Sequence, residues 1–165
     1  MDTKANPAVM NLPAYKPQTD DEIAVYNLYQ QLLKSWNDQN ADNYGQLFTE
    51  TASVIGFDGS QMNGNKEITE SLRAIFANHK TNWFVAKVRD IRFLTTEVVL
   101  LRAVAGMYSP AKPEINPYTN AIQSLVAVKK GGAWAIAQFQ NTPAQFHGRP
   151  DLSEALLKEL QSELG

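Results

Sequence analysis

Val98-Val99-Leu100-Leu101-Arg102-Ala103-Val104 is an apolar run broken by one arginine, inside a strand pattern that spans 97–108. A second strand pattern, 83–95, precedes it across a tight link at Thr95-Thr96. Two more, 118–129 and 133–142, meet at Gly131-Gly132, a pair suited to the positive φ of a hairpin turn. Four successive strands joined this way need no parallel crossover, so this half of the chain reads as an antiparallel sheet. Between the two hairpins, 109–117 carries Pro110, Pro113 and Pro117, which predicts a stiff surface loop at the rim of a cleft.

Upstream the periodicity becomes helical. A first helix opens at Thr19 or Asp20, with Glu22 placed after Thr19 as in a capping box. Val25, Tyr26, Tyr29, Leu32, Leu33 and Trp36 fall on one stripe of it. Asn37-Asp38-Gln39-Asn40 ends that helix, and a short second helix spans 41–48. A strand over 51–57 is closed by Asp58-Gly59-Ser60, where glycine takes φ > 0. A third helix covers 65–79, with Ile68, Leu72, Ile75, Phe76 and His79 on one face. The last helix runs from 152 to about 164, capped by Asp151 and answered by Glu154. The order predicts an α+β fold, with helices against a curved antiparallel sheet and a cone-shaped space between them. Residues 1–19, holding Pro7, Pro13 and Pro17, read as an N-terminal arm, and 20–165 as one domain.

Composition narrows the function. With 165 residues, 44% of them apolar and 19% charged, the chain is an ordinary globular domain. Its net charge is −2 and its Lys and Arg are scattered, so it lacks the basic stripe that nucleic acid requires. Absence of cysteine removes disulfides, thiol nucleophiles and thiolate metal sites. No signal-peptide pattern and no apolar run of about 18 residues is visible, so the expectation is a cytoplasmic protein without a membrane partner.

Several blocks resemble a known group: Leu47-Phe48-Thr49-Glu50-Thr51-Ala52-Ser53-Val54, Ile55-Gly56-Phe57-Asp58-Gly59-Ser60, Ala86-Lys87-Val88-Arg89, Leu101-Arg102-Ala103-Val104-Ala105-Gly106-Met107, Ile115-Asn116-Pro117, and the polar run from Gln140 to Pro150. Together, over roughly 20–160, they resemble the SnoaL-like proteins of the SgcJ/EcaC type. Those proteins belong to the cone-shaped nuclear transport factor 2-like superfold that also includes ketosteroid isomerase. The resemblance implies a homodimer with a hydrophobic pocket, related to cyclases, isomerases or accessory proteins of natural-product pathways. It departs from the isomerase pattern at the catalytic positions. Gly56 stands where the carboxylate base belongs, and the oxyanion donors fall near Leu32 and Ser124. Steroid isomerisation therefore does not carry over. No G-x-G-x-x-G follows a strand, so no nicotinamide or flavin cofactor is expected. Two separated histidines without clustered acids give no zinc site.

Candidate site residues carry alternatives. Asp58 is a base or a turn aspartate; His79 is a general acid/base or a histidine satisfied at a helix C-terminus. Arg102 clamps a carboxylate or enolate, or pairs with an acidic neighbour. Trp36, Phe48, Phe57 and Phe76 form an apolar pocket wall or ordinary core. Asn120, Gln123, Ser124, Gln138, Gln140 and Asn141 supply ligand contacts or amide ladders, and one register turns Asn120 and Ser124 inward. Lys87 and Arg89 read as a solvated face or dimer contact, and His147-Gly148-Arg149 as a pocket mouth or interface. The expected ligand is an apolar, partly oxygenated, polyketide-like metabolite, handled by cofactor-free isomerisation, cyclisation or dehydration. The alternative is a non-catalytic binding or association module. A homodimer through the outer sheet face is expected from Trp83, Ile91 and Phe93.

Overall fold

The computed structural model describes residues 14–165. Its elements are α1 (Asp20–Asn37), α2 (Ala41–Gly45), β1 (Phe48–Ile55), β2 (Gln61–Asn63), α3 (Asn65–Asn78), β3 (Trp83–Phe93), β4 (Val98–Ser109), β5 (Lys112–Lys130), β6 (Ala133–Pro143) and α4 (Pro150–Glu163). The six strands form one sheet in the order β2-β1-β6-β5-β4-β3. The β3–β6 meander is antiparallel throughout and returns the chain to β1, which β6 meets in parallel. The α+β cone fold expected from the element order is present, with α4 as its C-terminal helix.

Both faces of the sheet are covered, by different helices. Val99, Leu101 and Ala103 alternate along β4 and are fully buried in the larger core, which they share with α1, α2 and α3. Val104 points the other way and packs with Leu156 and Leu160 of α4. This two-sided burial fits the continuous apolar runs in β4, broken only by Arg102 between Val98 and Met107, and in β5 from Leu125 to Val128.

Local chemistry explains the helix ends. Thr19 Oγ1 accepts the Glu22 N–H at 3.1 Å, as the capping pattern requires. The Glu22 carboxylate accepts the Tyr15 hydroxyl at 2.6 Å and the Gln18 N–H at 3.3 Å, tying residues 15–18 to the helix. Residues 1–13 of the expected arm lie outside the described residues. The cap of α4 differs from expectation. Pro150 occupies the first turn and Arg149 the cap position, so Asp151 already lies inside the helix, where it accepts from Arg149 Nη2 at 3.3 Å.

Three boundaries also differ. The second helix stops at Gly45 and β1 begins at Phe48, three residues earlier than the strand pattern indicated. A short β2 follows the Asp58-Gly59-Ser60 turn. The expected proline loop is largely strand: β5 starts at Lys112, and Ser109 already pairs with Lys112. Pro113 and Pro117 fit because β5 pairs with β6 only from Ala121 onward, so their stretch is a sheet edge with no ladder donor to lose.

Several carboxylates are held below their usual range. Asp21 is lowered by the Trp134 indole N–H and by Lys129, Glu22 by the Tyr15 hydroxyl, Asp90 by Arg102, and Asp151 by Arg149. A folded-state value below the unfolded one stabilises above the unfolded pKa of about 3.9–4.3 and is lost as pH falls through the folded values. Thermal melting followed by circular dichroism is expected to be level from neutrality down to about pH 5 and to drop steeply below about pH 4. A transition unchanged through that acid range would contradict these pairings.

Candidate functional site

The helix-facing side of the sheet carries one chain of polar groups drawn from three elements. Tyr29 lies on the buried stripe of α1, Gln123 on β5, and Asn141 directly opposite Gln123 on β6. Tyr29 Oη donates to Gln123 Oε1 at 2.5 Å, and Gln123 Nε2 donates to Asn141 Oδ1 at 3.1 Å. Tyr29 and Gln123 are fully buried, whereas Asn141 is half-buried. Burial pushes the Tyr29 phenol far above its ordinary value, so it stays an O–H donor at any accessible pH.

That fixed donor sets the direction of the whole chain. The Tyr29 hydroxyl needs an acceptor, so the Gln123 carbonyl must face it and the Gln123 NH2 must face Asn141. The Asn141 carbonyl is thereby committed inward. Its NH2 is left without a partner among the described residues, at the outer end of the chain. Around the inner end, Leu32, Ile68, Leu72, Leu101, Leu125 and Ile136 are all under 2% exposed and fill the space between helices and sheet. The hollow expected from the cone shape is packed at this level.

Asp58, His79 and Arg102 are not brought together, and none faces that interior. Asp58 is exposed in the β1–β2 turn, where Oδ1 accepts the Ser60 N–H at 2.9 Å and the Ser60 hydroxyl at 2.6 Å. Those bonds lower its pKa and leave an anion fixed in the turn. His79 caps α3 with extended backbone (φ −138°, ψ 141°) and is exposed, because the chain leaves the helix before the apolar stripe reaches it. Arg102 lies between the buried Leu101 and Ala103, so it points from the opposite face of the sheet. There it pairs with Asp90 through Nε–Oδ1 at 3.1 Å and Nη2–Oδ2 at 2.6 Å, the acidic-neighbour alternative.

The expected ligand wall is mostly core. Trp36 packs against Tyr44, Phe76 and Phe84 at ring separations of 6.5, 5.4 and 5.5 Å, and Phe48 stacks near Tyr44 at 5.5 Å. Phe57 is half-buried beside the turn. Ser124 does not face the helices: it pairs with Arg102 and Gln140 on the outer side. Asn120 is buried, but its Oδ1 would lie 2.9 Å from a Cβ on Gly106, at the spot where Leu160 of α4 also approaches. Gln138 is exposed, and Gln140 donates to Thr142 at 3.4 Å. Of the expected amides, Gln123 and Asn141 join the interior chain, and on β5 it is Gln123 rather than Ser124 that turns inward.

Lys87 and Arg89 are not a solvated face. Their side chains are 6% and 12% exposed and converge on the fully buried Glu159 of α4. Lys87 Nζ lies 3.2 Å from Glu159 Oε2, and Arg89 Nη2 donates to Oε1 at 2.7 Å. His147-Gly148 and Arg149 form the link from β6 to α4, with Phe146 at φ 43° packed under that helix. Among the described residues no three His, Asp or Glu side chains converge as metal ligands, and no helix is long and apolar enough to cross a membrane.

Residues 25–143 match the SnoaL-like domain. No curated protein matches the chain significantly. Among solved structures, it is similar to a domain of unknown function with a cystatin-like fold from Nostoc punctiforme. That pair shares 25% identity over 83% of this chain and 85% of the other, with a TM-score of 0.73. A ketosteroid isomerase-like protein from Erwinia carotovora atroseptica shares 12% identity over 78% of this chain and 99% of its own, with a TM-score of 0.60. An NTF-2-like protein of unknown function from Shewanella oneidensis shares 16% over 74% and 98%, with a TM-score of 0.58. At such identities the last two likenesses bear on the fold alone. The domain match spans the interior chain from Tyr29 to Asn141, and on it this protein belongs to the SnoaL-like domain family.

Proposed function

We propose that this protein binds an apolar metabolite carrying a carbonyl or similar acceptor oxygen, held at the outer end of the Tyr29–Gln123–Asn141 chain, and performs no chemistry on it. The observation that carries this reading is the committed polarity of the chain. Both amide carbonyls are turned inward, which leaves the Asn141 NH2 as a preset donor for an incoming oxygen. The binding role is favoured over cofactor-free isomerisation, cyclisation or dehydration because Asp58, His79 and Arg102 are exposed and lie apart, with Asp58 bonded to Ser60 and Arg102 to Asp90. Within the family we assign the chain to the SgcJ/EcaC type that its sequence blocks resemble, working in the cytoplasm.

Native mass spectrometry of the full chain incubated with a panel of apolar ketones, quinones and their hydrocarbon analogues tests this directly. Oxygenated members are expected to be retained unchanged and the hydrocarbons not. Asn141→Leu is expected to weaken retention about tenfold, the value of one lost hydrogen bond. Retention of nothing oxygenated, or equal retention by Asn141→Leu, would overturn the proposal. Conversion of a retained compound would restore the catalytic reading.

A second reading, self-association, is favoured by the sheet face that α4 leaves open. Leu100 and Val126 are half-buried there beside the Arg102–Asp90 pair, with Trp83 38% exposed on the same face at the start of β3. Phe93, expected on this surface too, lies opposite Val99 and so points to the helix-facing side. Ile91, expected on this outer surface, is instead buried in the larger core. Sedimentation is expected to give a dimer of the 18.4 kDa chain at micromolar concentration, and a monomer alone removes this reading.

A further inference from the structure

The geometry points to a binding site for a small neutral carbohydrate in the cavity where α1 ends. This cavity, of about 420 Å³, lies between the end of α1, the link from α3 to β3, and the β4–β5 turn. It is the size of an ordinary small-molecule pocket. None of its lining residues belongs to the Tyr29–Gln123–Asn141 chain, so the inference does not rest on the interior site.

Its floor is held in place by side chains at the end of α1, which bond mainly to the backbone of the α3–β3 link and of β3. Trp36 Nε1 donates to the Asn82 carbonyl at 2.9 Å. The Asn37 amide accepts the Phe84 N–H at 2.8 Å and donates to the Phe84 carbonyl at 3.2 Å. Gln39 Nε2 donates to the His79 carbonyl at 2.9 Å and to Thr81 Oγ1 at 3.2 Å. Gln39 does so at φ 54°, a left-handed conformation that residues other than glycine seldom adopt and that surrounding structure must hold. The α3–β3 link is therefore rigid. The polar ends of the Lys80 and Asn82 side chains nevertheless have no partner among the described residues and stand on the cavity wall.

The wall chemistry selects the ligand. Lys80 is the one charge of the lining without a partner among the described residues, because Asp38 is paired with Lys34 at 2.5 Å, and a single exposed ammonium does not by itself select an anion. Lys80, Asn82 and the Ser109 hydroxyl offer donors, and Asp38 and Asn82 offer acceptors. Beside them Trp83 is 38% exposed, its ring in an edge-to-face contact with Tyr108 at 6.1 Å, and Pro110 adds a second apolar ring to the lining. A sugar ring answers both requirements, with hydroxyls in its plane for the donors and acceptors and a C–H face for the indole. A purely aromatic or aliphatic ligand would desolvate the polar wall without pairing it.

Saturation-transfer NMR and titration calorimetry on the full chain, with glucose, galactose, N-acetylglucosamine and maltose up to about 10 mM, cover the millimolar affinities of shallow sites. At least one sugar is expected to bind, with saturation concentrated on the ring protons of one face. Trp83→Ala is expected to weaken it several-fold to about tenfold, as loss of an aromatic contact does. Asn82→Ala is expected to act in the same direction, whereas Phe93→Ala, at the other end of β3, is expected to leave binding unchanged. Both tested side chains are exposed, so their melting temperatures should match the parent; if Trp83→Ala fails to fold, Asn82→Ala decides. Absence of binding by every sugar, or binding indifferent to both substitutions, would overturn the site.

Discussion

Replacing Glu159 by alanine is expected to destabilise the protein by about 3–5 kcal/mol, the usual cost of removing one partner from a buried ion pair. Glu159 is fully buried on the inner side of α4, and its carboxylate is shared by Lys87 and Arg89 of β3. Desolvating these groups costs energy that only their mutual attraction and hydrogen bonds offset. Arg89 Nε is already buried without a partner among the described residues, so losing the carboxylate would strip the guanidinium of both of its hydrogen bonds. Glu163 lies 3.8 Å from Lys87 but is 36% exposed, which makes it a weak substitute. Glu159→Gln keeps the shape and loses the charge, so it should fall between alanine and the parent. Replacing all three groups together by Leu and Met should recover most of the loss, because the apolar contacts of Leu156 and Leu160 with Val104 remain. Urea unfolding of the four proteins checks this. An alanine variant within about 1 kcal/mol of the parent would mean that the apolar seam alone holds α4, since exposed pairs contribute no more than that.

The same cluster shows where sequence reading stops. Lys87 and Arg89 alternate along β3 as a solvated face would, and their partner lies some seventy positions further along the chain. Nothing local marks such a pair. The inward register of β5 is hidden for a related reason. Ala121, Leu125 and Ala127 face one side, and Ile122, Val126 and Val128 face the other, so both parities are apolar. That follows from helices packing on both faces, and it is why the pattern allows Ser124 to turn inward when Gln123 is the residue that does. Tyr29 is legible as part of the α1 stripe, but its hydroxyl gains meaning only once Gln123 lies opposite it.

Features set by near neighbours are legible in the sequence. Thr19 caps α1, the Asp58-Gly59 turn closes the first strand with Gly59 at φ 88°, and Gly131-Gly132 turns the last hairpin at φ 57° and 79°. The site residues need long-range geometry: His79 depends on where α3 unwinds, Arg102 on which face α4 leaves open, and Asp58 on a hydroxyl two residues away. Gly45 sits between these classes, since its role is to let two helices approach and no local signal records the partner.

Gly45→Ala is expected to destabilise by about 3 kcal/mol or more, at the upper end of the overpacking range. Two effects oppose each other. Alanine is intrinsically better in a helix by about 1 kcal/mol. Against that, a Cβ at position 45 would stand 1.7 Å from Thr69 Oγ1, 2.9 Å from its Cβ and 3.3 Å from its Cα. Rotating the threonine does not lengthen the second and third distances, and Oγ1 is already committed to the Asn65 carbonyl at 2.8 Å. Relief therefore requires α2 to move off α3, which would separate Tyr44 from Trp36 and Phe48 as well. The clash should win. Combining Gly45→Ala with Thr69→Ala removes the clash with the oxygen but keeps the one with the β-carbon, so partial recovery is expected. Combining it with Thr69→Gly leaves only the 3.3 Å approach to the α3 Cα, so most of the steric part should vanish, and the helix cost of the new glycine, about 1 kcal/mol, offsets the similar gain from alanine at position 45, bringing stability close to the parent. Denaturant unfolding of this series separates the explanations. A Gly45→Ala protein as stable as the parent would show that α2 and α3 are not locked by close approach. Stepwise recovery, first with Thr69→Ala and then further with Thr69→Gly, assigns the cost to the threonine side chain itself.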